Sequence, residues 1–176
     1  MDERKDLTLI LKSRFPLVAI ETNEEARAIA LLENICHREE WAFFTWSVTE
    51  GIQRHGRADR VAMTQEFAAA LRHIDKTLQN GVYALLDAHP YIGEPVVQRL
   101  LRVIAQGYNQ TARTLVFVSP SLELPADLSR MSARFRLSVL DAAGVREVIR
   151  EEAKLYESRN EKPRGTREVV DLLAQH

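Results

Sequence analysis

The chain has 176 residues, 45% of them apolar and 28% charged, a balance that suits a folded globular domain and argues against disorder. A net charge of -1 argues against a dedicated nucleic-acid binder, which needs a clustered basic face to neutralise phosphate. The opening Met-Asp-Glu-Arg-Lys is too charged for a secretory signal, and no apolar run approaches the roughly 20 residues of a membrane span, so the expected location is cytoplasmic.

Leu7, Ile10 and Leu11 predict a short amphipathic helix, stopped at Phe15-Pro16. Leu17 to Ile20 is a short apolar run that suits a buried strand. Ile29, Leu32, Ile35 and Cys36 then recur on one helical face, which reads Cys36, the single cysteine, as a small buried hydrophobe. Trp41 to Val48 is rich in aromatic residues and predicts the second strand. Thr49 to Val61 reads as a polar loop with Gly51 and Gly56. Thr64 is placed to cap a helix whose core face is Phe67, Leu71, Ile74 and Leu78, ending at Asn80-Gly81.

Val82 to Leu86 predicts the third strand, closed by Asp87. Pro95 opens a helix with Val97, Leu100, Leu101 and Ile104 inward, ending near Gly107. Thr114 to Val118 is the fourth strand, ending on Ser119-Pro120, and Phe135 to Leu140 the fifth. Asp141 is placed to cap a long helix with Val145, Val148 and Ile149 inside. Strands apolar on both faces and separated by helices predict parallel pairing, hence a three-layer α/β/α sandwich around a five-stranded, mainly parallel sheet. The expected division is a core over residues 1–156, a polar linker over 157–165 carrying Pro163 and Gly165, and the start of a helical lid or terminal helix over 166–176, capped by Thr166 and cut short.

In open parallel sheets ligands bind beyond the carboxyl ends of the strands, which singles out Glu21, Thr22, Asn23, Ser47, Asp87, Ala88, His89, Ser119 and Asp141. Asp87, closing an apolar strand, is in a place where nucleoside triphosphatases hold magnesium, although acids also end strands simply to cap a turn. The next residue, where a glutamate would activate water, is Ala88, whose methyl group cannot act as a base. His89 is a substitute base or a structural loop histidine. Ser119 is a phosphate contact or the turn residue before Pro120.

At the first strand-helix junction a phosphate loop would need glycines and a lysine. Thr22, Asn23, Glu24 and Glu25 offer neither. They match a capping box instead, with Thr22 as the cap and Glu25 reaching back, and the two glutamates sit at the positive end of the helix dipole. A triphosphate there would meet like charge at short range. Arg130 and Arg134 precede the fifth strand, where Arg134 is either a solvated surface residue or one that reaches a neighbouring subunit's phosphates in trans.

The Asp-ended strand VYALLD resembles the Walker B strand of the AAA+ ATPase core, TLVFVS its sensor-1 strand, and Leu128 to Arg146 the segment that ends in its arginine-finger and post-sensor region. More narrowly, RFPLVAIETNEEARAIALL, FFTWSVTEGI, VYALLDAHPYI with VVQRLL, and TLVFVSPSLELPADL resemble the front domain of an AAA+ family first noticed as a chloroplast open reading frame, over roughly residues 7 to 155. The resemblance implies a front module without a phosphate loop, followed in the parent protein by an intact ATPase module that uses ATP and magnesium. The departures at the Walker A position, Thr22 to Ala28, and at Ala88 imply a segment that binds no cofactor of its own. It would then act through assembly or regulation, with itself or an attached or partner AAA+ module as partner, in a ring.

Two other readings remain open on the residues. A receiver-like phosphoacceptor domain would use Asp87 with Glu21 and Ser119, although the first strand carries one acid where a magnesium pocket wants a pair. A small enzyme would use Asp87 and His89 as an acid-base pair at the sheet edge.

Overall fold

A computed structural model describes residues 2–57 and 59–138, together with Arg146, Ile149, Arg150, Ala153 and Lys154, which are helical. In chain order the elements are α1 (Glu3–Lys12), β1 (Leu17–Glu21), α2 (Glu25–Arg38), β2 (Phe43–Ser47), β3 (Gly51–Arg54), α3 (Phe67–Lys76), β4 (Gly81–Leu86), α4 (Pro95–Gln106), β5 (Arg113–Ser119), α5 (Ala126–Ser129) and β6 (Ser132–Phe135). Short 3-10 turns cover His89–Tyr91 and Gly107–Asn109. The chain divides into two compact units, Met1–Leu137 and Ser138–His176. The expected Asp141 cap, the boundary at residue 156, the linker and the Thr166 helix lie outside the described residues.

The sheet runs β3-β2-β4-β5-β1-β6 and is parallel except for the β2–β3 hairpin. Its central strands are apolar on both faces because helices cover both. Leu17, Ala19, Trp46, Tyr83, Leu85, Leu115 and Phe117 pack against α3 and α4. Val18, Ile20, Val82, Ala84, Val116 and Val118 pack against Leu7 and Leu11 of α1 and Leu32, Ile35 and Cys36 of α2. The three-layer frame is the expected one.

The sheet has six strands rather than five. The polar stretch after β2 contributes β3, which pairs with β2 from Phe44↔Arg54 to Ser47↔Gly51. An edge strand can be polar at Gln53 and Arg54 because only Ile52 needs to reach the core. The last strand lies earlier than its apolar pattern suggested. β6 pairs Leu17↔Ser132 through Ile20↔Phe135, and at the sheet edge only Phe135 is buried.

Two helix boundaries also differ. Thr64 caps no helix, since α3 starts at Phe67. It is buried beneath the hairpin, where its hydroxyl donates to the Val61 carbonyl (2.7 Å) and accepts from the Ile52 N–H (2.8 Å). Its own carbonyl accepts the Trp46 indole N–H at 2.7 Å. Helix α3 ends at Lys76, so Leu78 is 90% exposed instead of inward. The reason is Arg113, a buried guanidinium that donates to the carbonyls of Ile74 (2.9 Å) and Asp75 and so satisfies the open end of the helix.

Candidate functional site

The site forms where the chain reverses across the sheet. The crossover from β1 uses α2 on one face, whereas those that join β2 to β4 and β4 to β5 use α3 and α4 on the other. Such a switch opens a crevice at the carboxyl ends of the adjacent strands, here β1 and β5. The last register pair is Glu21↔Ser119, and the Thr22 N–H extends the ladder by donating to the Ser119 carbonyl at 2.9 Å.

The start of α2 departs from the capping box. Thr22 stands two residues before Glu24, the true N-cap, so its hydroxyl can only close a small turn, accepting the Glu24 N–H at 2.9 Å. Glu24 makes no side-chain cap. Its carboxylate takes Arg27 at 2.8 Å, and Arg27 also pairs with Glu3 of α1 at 2.6 Å. Glu25, the first helical residue, does not reach back to Thr22. Burial pushes its carboxyl above the ordinary value of 4.5, and the nearby Asp87 charge adds to the effect. The first cation after β1, Arg27, is thus engaged by two glutamates, and the helix end that favours anions already carries the protein's own.

Asp87 follows β4 in a left-handed conformation (φ 50°), its N–H donating to the Val118 carbonyl at 3.0 Å, and is exposed. Aspartate tolerates that conformation better than most residues. Ala88 is fully buried in the core on the α3–α4 face. The place where a base would follow the aspartate therefore packs a methyl group inward. His89 opens the 3-10 turn, exposed, and no hydrogen bond or ion pair joins it to Asp87 among the described residues. Nor do three or more His, Cys, Asp or Glu side chains converge as a metal site among those residues.

Ser119 is 2% exposed and its hydroxyl has no hydrogen-bond partner, so no base activates it. On the other side of β1, Arg134 lies within β6 rather than before it, opposite Ala19. Its guanidinium pairs with Glu21 and donates to the Leu122 carbonyl at 3.4 Å. Glu21, Ser119 and Arg134 thus come together at one end of three adjacent strands. Asn23 is exposed in the junction. Ser47 lies apart at the end of β2, where its hydroxyl accepts the Glu50 N–H (3.3 Å) in the hairpin turn. The sequence signals for Asp87, Ala88 and Ser119 located the strand ends. The Glu21–Arg134 pair was missed because nothing in the sequence states which strand neighbours β1.

Cys36 is buried as expected. Burial, with a lesser push from Glu33, raises its thiol to about 12. No helix among the described residues is long and apolar enough to cross a membrane.

A family model described as the SpoVK-like AAA ATPase N-terminal domain matches residues 3–137. Two curated relatives, both described as uncharacterized AAA domain-containing protein ycf46, are similar over much of the chain. The protein from Guillardia theta is 30% identical over 128 residues, which is 71% of this chain and 25% of the relative. That from Pyropia yezoensis is 23% identical over 133 residues, or 73% and 27%. The chain thus spans about a quarter of the length of these relatives. Among solved structures, it is similar to the FIGL-1 AAA domain in complex with ADP, with a TM-score of 0.59 and 10% identity over 98% of this chain and 58% of that one. It is also similar to a RuvB variant of Thermotoga maritima, with a TM-score of 0.58 and 15% identity over 89% and 51%. At such identities the likeness is one of fold.

Proposed function

Because the chain belongs to the SpoVK-like AAA ATPase N-terminal domain family, we propose that it is an AAA-like module that hydrolyses no ATP itself and acts through assembly with, or regulation of, an attached or partner AAA+ ATPase. The observation that carries this reading is the start of α2. Its dipole end is occupied by Glu24 and Glu25, the latter already under repulsion from Asp87.

Magnesium-ATP, the cofactor the family implies, does not fit these residues. Between β1 and α2 there is no glycine to turn successive N–H groups toward phosphate, and the Glu24 N–H is taken by Thr22. Arg27 is held by Glu3 and Glu24, and Ala88 supplies no base. A triphosphate would have to displace these pairs and approach two carboxylates at reduced dielectric. An ATP- and magnesium-using ATPase module elsewhere in the parent protein, a ring of such modules, a trans role for Arg134 and a soluble, cytoplasmic location belong to the same proposal.

The receiver alternative meets a topological objection. Counted over the parallel strands alone, the order across the sheet is 2-3-4-1-5, whereas a receiver-type sheet runs 2-1-3-4-5. Here β5 separates the end of β1 from Asp87, so Glu21 and Asp87 cannot form the paired-acid pocket of that fold. The Asp87–His89 enzyme finds no contact between its two groups.

Calorimetry of the chain with magnesium and ATP should show no saturable binding at micromolar concentration. Tight binding lost in Asp87→Ala would overturn the silent-module reading. Sedimentation of the chain alone and joined to an AAA+ module tests assembly, and a monomer in both settings would count against a ring.

A further inference from the structure

On the α1–α2 layer, away from the strand ends, the two helices lie side by side in parallel. They are pinned at one end by Glu3–Arg27 (2.6 Å) and at the other by Lys12–Glu39 (2.7 Å). Between them runs an open groove of about 320 Å³ with Ile35 at its floor and Leu9 at its rim. Leu9 is 67% exposed, while Leu7 and Leu11 of the same helix are buried in the core. The outward leucine therefore adds nothing to the packing of its own domain.

Four cations line the groove, Arg4, Lys5, Lys12 and Arg38, against one lining acid, Glu39. Asp2 pairs with Arg4 (3.9 Å) and Lys5 (3.3 Å), and Glu39 with Lys12. Arg38 has no ion-pair partner among the described residues. The chain as a whole carries a net charge of -1, so this positive field is local. The stretch from Arg4 to Lys12 measures about 12 Å along the helix axis, the length of two helical turns.

We propose that this groove docks an acidic amphipathic helix of a partner protein, with an apolar side chain set on Leu9 above the buried Ile35 and carboxylates toward Arg38 and Lys5. A concave strip between two helices, with an exposed leucine set among cations along its rim, offers an acidic amphipathic helix both an apolar and a charged contact. Membrane docking would call for a broad outward apolar face, and α1 turns Leu7 and Leu11 inward. The proposal goes beyond the silent-module reading and shares no residue with the Glu25–Asp87 pair, so either can fail alone.

The test uses a fluorescent synthetic helix with leucine on one face and glutamate on the other. Binding to the 176-residue chain is followed by anisotropy and by amide chemical shifts. Saturable binding is expected, with shifts confined to residues 4–12 and 35–39. It should weaken by at least about 10-fold in Leu9→Asp/Arg38→Glu and be unchanged in Arg72→Glu on the exposed face of α3. A peptide with lysine in place of glutamate should not bind. Circular dichroism checks that the double variant is folded, and Arg38→Gln serves if it is not. Equal binding by wild type and variant, shifts elsewhere, no binding, or binding to phosphatidylglycerol-containing vesicles in preference to the peptide would each overturn it.

Discussion

Glu25 and Asp87 bring two carboxylates into electrostatic reach at the carboxyl edge of the sheet, one from the first turn of α2 and the other from the end of β4. Burial and the Asp87 charge both raise the Glu25 carboxyl. At this edge of the sheet the Asp87 carboxylate thus opposes ionisation of Glu25.

That pair has a pH signature. Between the ordinary glutamate value and the raised folded one, the folded protein binds more proton than the unfolded chain. The group's contribution therefore turns unfavourable as pH rises through this window and remains so at neutral pH. Glu25→Gln should raise the Tm at neutral pH and flatten that limb, by less than about 1 kcal/mol because the residue is solvent-accessible. Asp87→Asn should act in the same direction. Thermal unfolding across the acid-to-neutral range checks both, and a Glu25→Gln protein no more stable than the wild type at neutral pH would contradict the repulsion.

The hairpin rests on Thr64. Thr64→Val leaves the Ile52 N–H without its acceptor and should cost about 1–3 kcal/mol, while Thr64→Ser should retain most of the stability. Gly51→Ala should destabilise as well, because Gly51 has φ +72° and an added Cβ would stand 2.6 Å from the Thr64 Oγ1. Chemical denaturation of the three variants separates these outcomes.

Arg113, the first residue of β5, closes the end of α3. Arg113→Ala uncovers the Ile74 and Asp75 carbonyls and strands a partly buried Asp75, so a loss of about 3 kcal/mol is expected. Faster amide exchange in the last turn of α3 than in α4 would place the damage at that cap.

Cys36 should resist modification. With its thiol pushed up to about 12 and its side chain in the α2 core, thiol reagents should label it only in denaturant. Rapid labelling of the folded protein would mean that α2 opens locally.

The layered fold was legible in the sequence because apolar runs of strand length alternate with amphipathic segments of helix length. β1, β4 and β5 lie where Leu17, Val82 and Thr114 announce them. β3 and β6 were not legible in place. Both are edge strands, and an edge strand buries so little that Gly51–Arg54 and Ser132–Phe135 carry no apolar run. The end of α3 was misplaced for a similar reason, since a residue 39 positions away in the chain satisfies its last turn.

Taken by itself, the sequence determined the class of fold, the absence of a glycine-lysine phosphate loop after β1, and the methyl group at Ala88. These are local facts of composition and period. Tertiary structure alone decided that β1 lies between β5 and β6, which sets Glu21 against Arg134 and Ser119 and parts it from Asp87. It also turned Glu25 from a cap into an opponent of Asp87. Strand order and helix phase arise from burying every apolar face at once, a condition that no single segment of the sequence expresses.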